Sequence, residues 1–177
     1  MRFYAVCPAG ADHAGALQVH RVVRLANELA YEASVVHAGA PGRQAERCTA
    51  AAPCPVAPGI ADGADCVVLL RNEDVLSAFD VALARVVVWW VEVPRFLQDL
   101  RALQQRTGAG AELDAEVHSR RFVHLAGDDA SRRHLAGRGC LSGDLLVAAE
   151  DDTAHRQVFE VLAACEGEHL RASEWGR

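Results

Sequence analysis

Residues 3–37 read FYAVCPAGADHAGALQVHRVVRLANELAYEASVVH. The stretch holds three units in a row. Phe3–Cys7 is a short continuous apolar run, the pattern of a strand buried on both faces. A loop with glycines at 10 and 15 follows. Then Val19, Val22, Val23, Ala26 and Leu29 fall on one side of a helix, with Gln18, Arg21, Arg24 and Glu28 on the wet side. Ala33–His37 is a further strand candidate and closes a strand-helix-strand unit.

The same rhythm continues downstream. Cys66–Leu70, Val86–Val91 and Phe122–Leu125 are further short apolar runs. Pro94–Gln105 opens with a first-turn proline and places Phe96, Leu97, Leu100 and Leu103 on one stripe. Asp128–Leu135 has an aspartate at the N-cap position and Gly137 just past its end. A C-terminal helix over 152–166 carries Val158, Val161, Leu162 and Cys165 on one stripe. Strand-helix alternation predicts an α/β three-layer sandwich with a mainly parallel, Rossmann-like sheet in one domain spanning 1–177. Two segments lack a usable period. Gly39–Gly63 holds four of the six prolines and four glycines, and reads as a functional or mobile loop. Thr107–Arg120 reads as a shorter loose stretch.

Composition narrows the chemistry. The chain has 177 residues and a net charge of −6, which gives no basis for a nucleic-acid surface. No apolar run is long enough to span a bilayer. The N-terminal run is too short for a signal-peptide core, so a cytoplasmic location is expected. All 18 basic residues are arginine, which excludes Schiff-base and Walker-lysine mechanisms. The six cysteines form no CxxC pair and the histidines show no zinc-ligand spacing, so no metal site is expected. Cys66 and Cys165 read as buried thiols. The first loop lacks GxGxxG, and no cofactor is implied. A glycine loop feeding a helix N-terminus still suits an anion, and an ordinary strand-to-helix turn is the alternative.

Four ordered segments resemble the N-terminal half of bacterial GT-B glycosyltransferases. Leu25–His37 resembles their "LANELGYEAYVLH" text. Ala64–Leu70 followed by Glu73 is similar to a "DIVVIPE" strand end, and Val86–Trp90 to a "VVWW" strand. Val123–Ala126 with the helix to Gly139 is similar to "HLAQSxYAxxFLxxxG". The resemblance covers about residues 1–150. It implies an acceptor-side domain, inactive alone, that pairs with a donor-binding partner or with itself. The reaction would transfer sugar from a nucleotide sugar to a hydroxyl acceptor. Departures such as Ala14-Gly15 for a double glycine leave open a non-catalytic binding or scaffold module. An unrelated doubly wound ligand-binding domain is the third reading.

Candidate residues follow from position. His13, in the first loop, is a candidate general base, with a solvated loop histidine as the alternative. Glu73 follows a strand end, where open α/β sheets place ligands, although an acid at a helix start is equally explained by the dipole. Gly10 and Gly15 offer loop amides. Trp89 and Trp90 face opposite sides of a strand, so at most one lines a cleft; Trp90 is nearer the strand end. Glu92 lies just beyond and is a candidate acceptor-hydroxyl ligand. His124 sits inside a strand, either as a ligand-binding group or as a satisfied core histidine.

Overall fold

Continuous apolar runs dictate strands covered on both faces, and the chain builds a sheet of that kind. A computed structural model describes residues 1–7, 13–38, 52–75, 81–91, 93–119, 121–140, 142–144, 156–158 and 160–165. Seven strands are present among them: β1 (Arg2–Cys7), β2 (Glu32–His37), β3 (Val56–Ala57), β4 (Cys66–Arg71), β5 (Arg85–Trp90), β6 (Val123–Ala126) and β7 (Ser142–Asp144). Every pairing is parallel, in the order β3-β2-β1-β4-β5-β6-β7. The helices are α1 (His13–Glu28), α2 (Val93–Thr107), α3 (Gly110–Val117) and α4 (Asp129–Gly137). Residues 156–158 and 160–165 are also helical.

Side-chain alternation divides the core into two layers. Phe3, Ala5, Val67, Leu69, Val87 and Trp89 pack beneath α1 and the C-terminal helical residues Val158, Leu162 and Cys165. Tyr4, Val6, Val68, Leu70, Val88 and Trp90 pack against Phe96 of α2, Val117 of α3 and Leu135 of α4. The molecule is therefore a three-layer α/β sandwich on a single parallel sheet. Cys66 and Cys165 are both buried.

The ends of the elements are set by local chemistry. Asp128 caps α4, its Oδ1 accepting from the Ser131 amide at 2.6 Å. The reversal after α4 falls at Gly139 (φ 70°), two residues beyond Gly137, which stays inside the helix. At the end of α1, Ala30 takes the left-handed conformation (φ 65°) that glycine usually occupies. There the Tyr31 amide donates to the Ala26 carbonyl at 3.0 Å. Asn27 fastens the same corner: its amide donates to the Val23 and Ala33 carbonyls, and its Oδ1 accepts from the Ala33 amide.

Both segments that lacked a period contain structure. The 107–120 stretch holds α3, contrary to its reading as loose. Of the 39–63 segment, residues 39–51 lie outside the described residues. The remainder contains β3 and Asp62, whose carboxylate accepts from the amides of Ala82, Leu83 and Ala84 at 2.7–2.9 Å. Those bonds hold the Asp62 carboxyl below its usual range. No described helix is long and apolar enough to cross a membrane.

Candidate functional site

The strand order changes direction once. From β1 the chain steps outward to β2 and β3, then returns to place β4 on the other side of β1. Outside the carboxyl ends of β1 and β4 lies the crevice where open α/β sheets bind ligands.

Charged groups gather at the β4 side of that crevice. Arg71 ends β4, and residues 72–75 form one 3₁₀ turn. Asn72 is buried and its Oδ1 accepts from the Val91 amide at 3.0 Å, which ties the turn to the end of β5. Glu73, only 11% exposed at its side chain, lies between two guanidinium groups, Arg71 at 3.3 Å and Arg95 at 3.7 Å. Arg95 projects outward, its side chain 57% exposed. Asp74 was not singled out from the sequence. Burial first, and the adjacent Glu73 charge second, push its carboxyl up to about 7, against the opposing pull of Arg71 and Arg95. Its Oδ2 is buried without a hydrogen-bond partner. The two carboxylates thus divide their roles. Glu73 has opposite charges on two sides, whereas Asp74 exchanges a proton near neutral pH.

The β1 side is only partly described. Gly15 is buried in the first turn of α1. His13 is described by its helical backbone alone, and Gly10 and Glu92 lie outside the described residues. A second set of donors stands at the same edge: Cys7, His20 and His37 bring one ligand atom each within 4.8 Å of one another. The sequence showed no such cluster, because the three come from β1, α1 and β2 and have no characteristic spacing.

Trp89 and Trp90 do face opposite layers, but both are buried. Trp90 is 0% exposed and belongs to the core under α2–α4. Its indole N–H donates to His124 Nδ1 at 3.2 Å. That bond fixes the hydrogen of His124 on Nε2, which lies near the Ser119 backbone without a well-formed hydrogen bond. Phe96 meets the indole edge-on at 5.0 Å, and His118 stacks on it at 4.9 Å.

His118 continues into a chain of polar contacts. Its Nδ1 is 2.7 Å from the Asp114 carbonyl oxygen and 3.4 Å from the Asp114 carboxylate. Its Nε2 is 3.0 Å from Nε2 of His134. With Nδ1–H donating to Asp114, His118 Nε2 accepts from His134. Arg138 closes the outer end by an ion pair with Asp114. Burial is the largest cause lowering the pKa of all three histidines; His118 adds repulsion at His124 and His134, Arg138 adds it at His118 and His134, and Asp114 opposes the shift at His118 and His134. One clue to this group was present in the sequence: Asp114 and His118 stand four residues apart, adjacent on one helix face.

A cavity of about 310 Å³ opens at the opposite, amino-terminal edge, between Met1, Asp65, Arg85 and Phe122. None of the charged groups above lines it. We place the candidate site at the carboxyl edge, where titratable groups and the switch point coincide. Compared with known proteins, the chain matches no family model and no curated protein.

Proposed function

We propose that this domain supplies the hydroxyl-acceptor side of a GT-B-like glycosyl transfer, acting with a donor-binding partner that holds the nucleotide sugar. The observation that carries the reading is the Glu73–Asp74 pair beside the switch point, with Asp74 titrating near pH 7. A carboxylate of that basicity takes the proton of an acceptor hydroxyl as the hydroxyl oxygen bonds to the anomeric carbon. The bond from that carbon to the diphosphate breaks, and its electron pair leaves with the diphosphate. Glu73, held by Arg71 and Arg95, accepts hydrogen bonds from neighbouring sugar hydroxyls. Arg95 is exposed enough to meet the ligand directly.

A second reading, a binding or scaffold module without chemistry, is favoured by one finding. Trp90, the aromatic candidate for stacking on a sugar, is buried and committed to His124.

Amide NMR of the labelled chain separates the two. Addition of mono- and disaccharide acceptors is expected to shift Gly15, Glu73, Asp74 and Arg95, and nucleotide sugar alone to shift none of them. Recovery from the native host is expected to bring a nucleotide-sugar-binding domain with it. Absence of any saccharide response, together with a stable complex with a protein that binds no nucleotide sugar, would overturn the transferase reading. Glycosyl transfer by the isolated chain would overturn the requirement for a partner.

A further inference from the structure

We infer that Cys7, His20 and His37 form a zinc-binding site at the carboxyl end of β1 and β2. Cys7 and His37 are the last residues of neighbouring parallel strands and are direct register partners, so their side chains leave the same face. That face is the one covered by α1, which carries His20. The three ligand atoms lie within 4.8 Å of one another, and the two imidazole rings are 5.7 Å apart. Zinc–sulfur and zinc–nitrogen bonds of about 2.3 and 2.0–2.1 Å place tetrahedral ligands roughly 3.3–3.6 Å apart. Side-chain adjustments of about 1 Å therefore close the shell.

The decisive residue is His20. It is 0% exposed on the inward face of α1, where an aliphatic side chain would pack without cost. Its Nε2 is buried without a well-formed hydrogen bond, the Ala52 backbone approaching the ring. A buried ring nitrogen so poorly paired is a cost to folding that a bound cation removes. The other ring nitrogen is already occupied: Nδ1 lies 3.3 Å from Cys54 Sγ. One nitrogen held by a protein group and the other directed at the ion is the usual arrangement of a metal-bound imidazole.

The protonation states suit binding. Burial keeps His20 and His37 neutral, with repulsion between the two rings adding to the effect at His20 and the Ala52 backbone opposing it. Burial pushes the Cys54 thiol up to about 11, so it remains a thiol beside the ring. Cys7 supplies the one thiolate. Its S–H bond breaks, the proton passes to solvent and the sulfur bonds to the metal. Three protein ligands leave a fourth position for water or an incoming ligand, as zinc sites with an open place do.

The test uses cobalt as a visible substitute in the full chain stripped of metal by chelator. One equivalent of Co²⁺ is expected to give tetrahedral d–d absorption and a near-ultraviolet thiolate-to-metal band, and Zn²⁺ to displace both. Cys7→Ser is expected to abolish the thiolate band. His37→Ala, at a half-buried position, is expected to weaken cobalt binding by more than about tenfold. Circular dichroism checks that each variant is folded; should Cys7→Ser not fold, His37→Ala carries the test alone. Absence of stoichiometric binding, a thiolate band that persists in folded Cys7→Ser, or unchanged affinity in His37→Ala would each overturn the site.

Discussion

His118 and His134 meet Nε2 to Nε2 at 3.0 Å, so a single hydrogen lies between two imidazoles. Protonating both destroys that bond and sets two cations against each other. Their pKa values are lowered in the folded chain, as are those of His20, His37 and His124. The unfolded chain then binds more protons as pH falls below about 6.5. Stability from these five groups is complete above that pH and is lost on acidification through their folded pKa values. Asp74 acts in the opposite sense: its raised pKa favours the folded chain fully below about 4, and that benefit is lost as pH rises to about 7. Denaturant midpoints measured from pH 7 to pH 5 are expected to fall. Asp74→Asn is expected to steepen the fall; a flatter profile in that variant would contradict the assignment.

The stacking of Trp90 on His118 gives this protonation an optical signal. Acidification is expected to quench tryptophan emission as the ring beneath the indole becomes cationic. Trp90→Phe is expected to remove that component and to cost about 1–3 kcal/mol, since His124 Nδ1 loses its donor. Emission and urea unfolding of the same variant check both expectations.

Ala30 holds a left-handed turn at φ 65°. Ala30→Gly relieves the Cβ strain there and is expected to stabilise the chain by about 1 kcal/mol, read as a higher urea midpoint at unchanged m-value. A loss of stability would mean that the turn is not strained.

Gly127 follows β6, and its amide donates to the Trp90 carbonyl at 2.7 Å. A Cβ there would stand 2.9 Å from that same oxygen and from the Trp89 indole nitrogen, and would press on Val91. Gly127→Ala is expected to destabilise by about 1–3 kcal/mol through overpacking, measured by thermal unfolding.

The five central strands were readable because each is wholly or mostly a short apolar run, broken only by Ser34 in β2 and His124 in β6, and α1 because its stripe runs through a helix of 16 residues. The edge elements were not. Val56–Ala57 lies among prolines, Ser142–Asp144 spans three residues, and α3 offers only Leu113 and Val117 as a one-turn stripe. Glu73 was legible as a residue beyond a strand end. Its partner Asp74 was not, since its character comes from burial and from a neighbouring charge rather than from sequence position. His118, His124 and His134 come from α3 and its end, from β6 and from α4, so only the folded packing reveals them as one group.

The two outermost strands, β3 and β7, contain two and three residues. Among the described residues, each rim of the sheet therefore offers an incoming strand only a few backbone groups to pair with. Edges as short as these described ones are poorly built for lateral growth into larger sheets, which guards a core rich in valine and leucine against edge-to-edge aggregation. A partner that extended this sheet would find little to hold, so recognition falls to side chains at the strand tips and on the helices.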